Sequence, residues 1–354
     1  MSSGNPNLLF FRRSFRFDGG AEKASSNYIR VLSKIFNIRI VAESWDKQGH
    51  SLSFLQVPRK GYLRSTKLDN YVSFCSDLIE KSDSLSHSHE LIPGSQILRL
   101  GDGLHSEWLK IKTSPNLWKK INFFHAKKIQ YEKETILHKN LRKIITNSNF
   151  ISQSVTENYS INESQIELVR NNLSEDFCNS NSKLINNKTI LFVGSGWERK
   201  GLEIAIKSLI YLPKYWKLEI IGNDKNFKRY VNLARKYKVE ARVNFMGCFK
   251  VLPQTYHRAN ILMIPSLYEP FPNVAMEALS QGLAVISSQS SGTSDFNKSQ
   301  GVWTCELVPE LFASSVIEAS YLGSSERKFI ADHAKQFDNI YLRNKLRKIY
   351  ESIT

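Results

Sequence analysis

Residues 266–288 read SLYEPFPNVAMEALSQGLAVISS and directly follow the apolar run ILMIP at 261–265. This pattern predicts a buried strand, a loop that contains Glu269, a helix over 274–281 and a second strand over 283–287. Open α/β sheets bind their ligands at the carboxyl ends of their strands, which is where Glu269 falls. The stretch therefore predicts a parallel α/β sheet with a ligand site at its edge.

Similar apolar runs predict further strands on both sides of this stretch. In the second half of the chain they cover residues 189–194, 217–222 and 242–247. In the first half they cover residues 8–11, 38–42, 96–100 and 144–147. Helical patterns separate several of these runs, as at 202–209, and such alternation is typical of a parallel sheet covered on both faces. We therefore expect two Rossmann-like, doubly wound α/β domains.

The length of 354 residues also favours two domains over a single core. Asn and Ser are frequent over 171–187, where apolar periodicity is weak. We predict an N-terminal domain over 1–172, a linker over 173–187, a C-terminal domain over 188–330, and a helical segment over 331–354 that crosses back to the first domain. Two such domains would face each other across a cleft.

Cysteine and histidine usage gives no sign of a metal site. The four cysteines, at 75, 178, 248 and 305, are too scattered to clip a zinc ion or to form a redox dithiol. His87 and His89 lack a further ligand cluster. No apolar run is long enough for a signal peptide core or a membrane span. We expect a cytoplasmic protein without a bound metal.

The formal net charge of +16 indicates an anionic partner. Residues 107–143 hold ten Lys and Arg against three Glu, interleaved with Trp, Phe, Leu and Ile. Such a basic amphipathic stretch is typical of a surface that docks on anionic headgroups, which would place the protein peripherally on the inner face of a membrane. A solvated helix face over an ordinary core gives the same pattern.

The start of the predicted helix after Glu269 fits a phosphate. Phe271, Pro272 and Asn273 lead into this helix, which begins at Val274 and whose first backbone N–H groups have no intrahelical partner. Glu277 lies one turn further on, and its carboxylate can accept hydrogen bonds from vicinal ribose hydroxyls. Two glutamates at this spacing also arise by chance on surfaces. Their setting between two strands favours a nucleotide site.

A second candidate patch is FVGSGWERKG at 192–201, where a predicted strand ends in a glycine turn. Arg199 and Lys200 lie just before the next helix, and both would neutralise a diphosphate. A basic helix start without a partner is the plain alternative. Cations at that end oppose the helix dipole, so their presence favours a bound anion.

With these motifs, the chain resembles the retaining family-4 glycosyltransferases of the GT-B fold, whose signature is two glutamates separated by seven residues. The resemblance implies that Glu269 is catalytic beside the donor sugar and that Glu277 binds the ribose. We also expect Gly222, at the end of the run 217–222, to belong to the nucleotide-sugar site. Ser195 stands where the family usually has arginine, a departure that bacterial lipopolysaccharide core glucosyltransferases share.

The resemblance extends to three N-terminal residues. Gly19 and Gly20 correspond to the glycine loop that closes over the donor phosphates in the family. Asp102 corresponds to the acceptor-side carboxylate of the core glucosyltransferases, which makes it a second catalytic candidate. Asp102 lies between two glycines, and Asp-Gly also suits an ordinary turn.

The resemblance implies a retaining hexosyltransferase that uses a nucleotide-sugar donor, with UDP-glucose as the expected donor and no cofactor. The acceptor would be a lipopolysaccharide, a lipid-linked glycan or another surface glycan. The charge leaves a different class open, a basic nucleic-acid-binding protein without catalysis. No recognisable nucleic-acid-binding module supports that alternative, and we expect no nucleic acid partner. A silent scaffold is disfavoured by the intact glutamate pair.

Overall fold

The computed structural model describes residues 6–14, 20–45, 52–112, 122–181 and 187–353. They form two compact units, each with its own sheet and its own apolar core. The chain passes from the first unit to the second after Asn171, and it returns to the first after Asn339.

The first unit contains a seven-stranded sheet with the order β3-β2-β1-β4-β5-β6-β7, in which each recorded pairing is parallel. Its strands are β1 (Asn7–Phe11), β2 (Asn37–Ala42), β3 (Ser53–Gln56), β4 (Leu85–Ser88), β5 (Ile97–Leu100), β6 (Lys143–Thr146) and β7 (Ile166–Leu168). Its helices include α1 (Gly20–Leu32), α2 (Arg64–Glu80), α3 (His105–Lys112), α4 (Phe123–Ile136) and α5 (Asn149–Tyr159).

The last helix of the chain completes the core of the first unit. Helix α13 (Asn339–Glu351) buries Leu342, Leu346 and Ile349 in the cluster that contains Phe10 of β1. The boundary between the two units falls after Asn339, the first residue of α13. Residues 331–339 of the predicted 331–354 segment therefore belong to the second unit. An amphipathic helix with a buried apolar stripe accounts for this packing.

Strand β4 was not predicted, because its central residues are polar. Ser86, His87 and Ser88 are nonetheless buried. The Nδ1 atom of His87 lies 2.8 Å from the hydroxyl of Tyr350, which supplies a hydrogen-bond partner inside the core. Burial and, to a smaller extent, the charge of Arg99 lower the pKa of His87 to about 3. His87 is therefore a neutral core residue.

The second unit contains a six-stranded sheet with the order β10-β9-β8-β11-β12-β13, again with parallel pairings. Its strands are β8 (Thr189–Val193), β9 (Lys217–Ile221), β10 (Val243–Gly247), β11 (Ile261–Ile264), β12 (Ala284–Ser288) and β13 (Val302–Cys305). Its helices are α6 (Glu175–Cys178), α7 (Leu202–Ser208), α8 (Phe227–Lys236), α9 (Pro253–Tyr256), α10 (Asn273–Ser280), α11 (Pro309–Ala319) and α12 (Ser324–Lys335).

The segment predicted as a linker, residues 173–187, begins as part of the second unit's core. Leu173 and Phe177 are buried there together with Tyr256 and Met276. Residues 182–186 of the same segment lie outside the described part of the chain. The four-residue helix α6 is too short to give a periodic signal in the sequence.

Candidate active site

The candidate site of the second unit lies where the strand order of its sheet reverses. The chain builds outward from β8 to β9 on one side, and from β11 to β12 on the other. Such a switch point leaves a crevice outside the carboxyl ends of the two central strands. Residues 194–201 follow β8, and Glu269 follows β11, so the two predicted patches meet at this edge.

Glu269 is held in place through its backbone. Its N–H donates to the carbonyl of Ser290 at 3.0 Å, and its carbonyl accepts from the N–H of Gly292 at 2.9 Å. Both partners lie in the loop that follows β12. The loop after β11 is thereby joined to the loop after β12, and these contacts fix the backbone of Glu269.

The Glu269 carboxylate accepts from two cations. Its Oε2 atom lies 2.9 Å from Nη1 of Arg199 and 2.5 Å from Nζ of Lys200. Burial of Glu269 raises its pKa, but the charges of Lys200 and Arg199 outweigh this effect and leave the pKa below its usual value. Glu269 is therefore an ionised and buried carboxylate, with 8% of the residue exposed.

The loop that carries the two cations is anchored by Trp197. This side chain is buried, and its indole Nε1 donates to the carbonyl of Gly194 at 2.9 Å. The backbone N–H of Trp197 donates to the Asp224 carboxylate at 2.8 Å. The indole thus fixes the turn before Arg199 and Lys200. A large aromatic residue inside a glycine turn was the available sequence signal for this role.

Gly222 lies beside this turn, at the end of β9. Its φ of +136° is reserved for glycine, and a Cβ atom there would stand 2.2 Å from the carbonyl oxygen of Gly194. The position therefore requires glycine for close contact between two loops. This requirement is structural, and a nucleotide-binding role for Gly222 stays a prediction.

Glu277 lies in α10 with only 8% of the residue exposed. Its Oε2 atom accepts from the hydroxyl of Tyr256 at 2.7 Å. Phe271 and Pro272, before the helix, are buried, and the side chain of Pro272 provides no cap for the helix start.

The first two helical residues, Asn273 and Val274, are partly buried. The four residues 271–274 thus form the helix entry that the sequence predicted.

The N-terminal candidates belong to the first unit. Asp102 is exposed in the turn that follows β5. Arg12 follows β1, and its ion pairs reach Glu22 at 3.6 Å and Glu90 at 3.4 Å. Burial lowers the pKa of Arg12, but the charges of Glu90, Asp102 and Glu22 raise it above the usual value. Asp102 is thus part of a charged cluster whose other members the sequence did not single out.

The predicted glycine loop is described only in part. Gly20 is the first residue of α1, while Gly19 lies outside the described residues. Their contact with donor phosphates stays a prediction.

The basic stretch at 107–143 is also described only in part, since residues 113–121 fall outside the described ranges. On α3 and α4, Ile111 and Phe123 are exposed, at 44% and 66%. The ammonium of Lys127 lies over the Phe123 ring, 5.7 Å from its centroid. Glu132 of the same stretch is buried and accepts from the hydroxyl of Ser106 at 2.5 Å. The stretch thus combines a core side with an exposed basic and apolar side.

Metal-binding clusters and membrane-spanning helices are both absent from residues 6–14, 20–45, 52–112, 122–181 and 187–353. Within those ranges, no group of three or more His, Cys, Asp and Glu side chains is arranged to hold a metal ion. Within the same ranges, no helix has the length and apolar character to cross a membrane.

Comparison with known families bears directly on the second unit. Residues 175–333 match the model described as Glycosyl transferases group 1, which is just under half of the 354-residue chain. Residues 175–333 form a glycosyl transferases group 1 domain. This domain contains Arg199, Lys200, Glu269 and Glu277.

Two curated relatives align with this chain over limited lengths. An uncharacterized glycosyltransferase, MJ1607 of Methanocaldococcus jannaschii, is 30% identical over 155 residues, 42% of this chain and 40% of that one. The lipopolysaccharide glucosyltransferase WaaG of Escherichia coli is 30% identical over 107 residues, 29% of this chain and 28% of WaaG. The chain therefore spans less than half the length of the curated relatives it matches.

Solved structures extend the likeness to both units. The crystal structure of WaaG matches with a TM-score of 0.78 at 17% identity, over 97% of this chain and 99% of that one. Anabaena Alr3699/HepE in complex with UDP matches with a TM-score of 0.75 at 15% identity, over 98% and 100%. The two α/β units therefore have the fold of the GT-B glycosyltransferases, as the sequence predicted.

Proposed function

We propose that this protein is a retaining glycosyltransferase that moves a hexose from a nucleotide-sugar donor to a glycan or glycolipid acceptor. The observation that carries the proposal is the Glu269 carboxylate, held by Arg199 and Lys200 at the switch point of a parallel sheet. Two cations against one carboxylate leave a formal excess of one positive charge. An excess cation at a crevice fits an anionic ligand such as a diphosphate.

The chemistry proposed for each group follows from its charge. Arg199 and Lys200 would stabilise the departing diphosphate, so no metal cofactor is part of the proposal. Glu269 would lie beside the sugar as a negative charge while the bond between the anomeric carbon and the diphosphate breaks. Glu277 would accept from the ribose hydroxyls. On the first unit, Asp102 is the proposed acceptor-side carboxylate.

The choice of donor and acceptor rests on the relatives. One relative is a lipopolysaccharide glucosyltransferase, and a structural neighbour is known in complex with UDP-glucose. We propose UDP-glucose as the donor and a lipopolysaccharide, lipid-linked or other surface glycan as the acceptor. A cytoplasmic enzyme would meet such an acceptor at the inner face of the membrane.

Differential scanning fluorimetry with UDP, GDP, ADP, CDP and their glucose conjugates tests donor binding. A ligand at 100 times its Kd stabilises a protein by about 2.7 kcal/mol, so UDP and UDP-glucose should raise the Tm by several degrees. The variant Arg199→Ala/Lys200→Ala should lose this shift. If none of the nucleotides moves the Tm of the wild type, the proposed function is wrong.

The same panel addresses the alternative of a nucleic-acid-binding protein. Binding of a labelled oligonucleotide that falls steeply with salt and is unaffected by every nucleotide in the panel would favour that class. We expect any such binding to be weak at physiological salt, with the nucleotide-induced Tm shift preserved.

Docking on an anionic membrane through α3 and α4 is a separate proposal. The variant Phe123→Ser should reduce retention on phosphatidylglycerol-containing vesicles about tenfold, since a Phe side chain transferred from water contributes about 1.5–3 kcal/mol. Tyr321→Ser is the matched control, because Tyr321 lies in the second unit and is 81% exposed. Equal retention of the wild type on neutral phosphatidylcholine vesicles would contradict docking by charge.

A further inference from the structure

A buried tyrosine contacts the second glutamate of the candidate site. The hydroxyl of Tyr256 donates to Oε2 of Glu277 at 2.7 Å. Tyr256 is fully buried, and it ends α9 in the segment that follows β10. We propose that Tyr256 is a positioning residue that fixes the Glu277 carboxylate in the orientation that receives the donor ribose. This proposal rests on the glycosyltransferase function proposed above.

The side chain of glutamate needs such a contact in order to present its carboxylate in one orientation. Its last torsion, about the bond to the carboxyl carbon, has a broad energy profile, so the plane of the carboxylate rotates easily in the absence of a partner. A short hydrogen bond to one oxygen fixes that plane. The backbone of Glu277 is itself held in α10, where its carbonyl accepts from the hydroxyl of Ser280 at 2.7 Å.

The tyrosine is rigid enough to serve as a fixed donor. Its ring packs edge to face against Phe177, with the centroids 5.7 Å apart. Both rings belong to the apolar core of the second unit. Burial and the neighbouring Glu277 carboxylate together raise the pKa of Tyr256 well above its usual value, so the hydroxyl keeps its proton at neutral pH.

A purely structural role for the hydroxyl makes a different prediction from a positioning role. If it only satisfies a buried carboxylate, its loss weakens every ligand of the site to the same extent. If it positions Glu277 for the ribose, its loss matters only when the ligand has ribose hydroxyls. Nucleotides with and without these hydroxyls therefore distinguish the two roles.

The test is isothermal titration of wild type and Tyr256→Phe with UDP and with 2′,3′-dideoxy-UDP. We expect the variant to bind UDP about tenfold more weakly, which corresponds to the loss of a hydrogen bond to a charged group. Its affinity for the dideoxy nucleotide should equal that of the wild type within about twofold. In turnover with UDP-glucose, the donor KM should rise while kcat is retained.

The control is Tyr71→Phe in the first unit. Tyr71 is also buried, and its hydroxyl donates to the carbonyl of Val41 at 3.4 Å. This variant should bind both nucleotides like the wild type. It shows what the loss of a buried tyrosine hydroxyl does when no site carboxylate is involved.

The outcomes separate the inference from the proposed function. If the wild type binds UDP and Tyr256→Phe binds it equally well, the inference is overturned and the function stands. Equal weakening toward UDP and the dideoxy nucleotide also overturns it, since the hydroxyl is then structural. If neither UDP nor any other nucleoside diphosphate of the panel binds to the wild type, both fail together.

A second variant keeps the test decisive if Tyr256→Phe does not fold. Adding Glu277→Gln removes the buried negative charge that loses the Tyr256 hydroxyl as a donor. In this background the tyrosine has no carboxylate to orient. The double variant should therefore bind UDP as Glu277→Gln alone does, and a further tenfold loss in the double variant would overturn the inference.

Discussion

Glu269→Gln should lower the rate of sugar transfer by about 100-fold or more, while the protein stays folded and still binds nucleoside diphosphate. The amide has nearly the same size as the carboxylate but carries no charge. It therefore cannot stabilise the positive charge that develops on a sugar ring as its bond to the diphosphate breaks. Arg199 and Lys200 lose their counter-ion at the same time, so UDP should bind more tightly to the variant than to the wild type.

The measurement pairs initial rates of UDP-glucose turnover with calorimetric titration of UDP. Glu203→Gln is the matched control, because Glu203 also pairs with a lysine and an arginine, at 2.7 Å to Lys207 and 3.1 Å to Arg229. That control should keep the wild-type rate, since Glu203 lies on α7 outside the site. A Glu269→Gln variant with more than about a tenth of the wild-type rate would remove Glu269 from the chemistry.

Much of the fold was predictable because central parallel strands are buried on both faces. Such strands read as continuous apolar runs, and the predicted run 261–265 matches β11 (Ile261–Ile264) to within one residue. The helix after β11 was predicted over 274–281, and α10 covers Asn273–Ser280. In both elements the local pattern and the tertiary environment agree.

The strands that were not predicted show where continuous apolar runs fail as a signal for strands. Strand β4 is polar in sequence, and its buried polar groups find hydrogen-bond partners on distant residues. One such partner of His87 is Tyr350, which lies 263 residues away in the chain. Strands β3, at the edge of its sheet, and β7, of three residues, give only short and partly exposed runs. Long-range partners and edge positions leave no periodic signal in the local sequence.

The sequence marked candidate site residues but not the contacts between them. The sequence marked Arg199, Lys200 and Glu269 separately, and the structure joins them in one ion-pair cluster. The role of Tyr256 had no sequence signal, because a single tyrosine shortly before a predicted strand reads as ordinary core. Its partner Glu277 lies 21 residues away, and only the folded core of the second unit brings the two together.

The position of Arg199 and Lys200 also depends on Gly201, a residue that contacts no ligand in the proposed function. Gly201→Ala should destabilise the second unit by about 4 kcal/mol, since steric overlap in a packed region adds to the cost of a left-handed backbone. Gly201 has a φ of +72°, and a Cβ atom there would stand 1.7 Å from the carbonyl oxygen of Pro265. Neither the loop after β8 nor the end of β11 can move without shifting the other, because Leu267 donates its N–H to the carbonyl of Arg199 at 2.8 Å.

Gly196→Ala separates the cost of the left-handed backbone from the cost of the steric overlap. Gly196 has nearly the same φ, +74°, but a Cβ atom there would meet nothing within 4 Å. The control should therefore lose only about 1 kcal/mol, and thermal unfolding should place Gly201→Ala about 10 °C below it. Equal Tm values for the two variants would show that the loop after β8 yields to the added methyl group. In that case, the close contact with Pro265 would not hold Arg199 and Lys200 against Glu269.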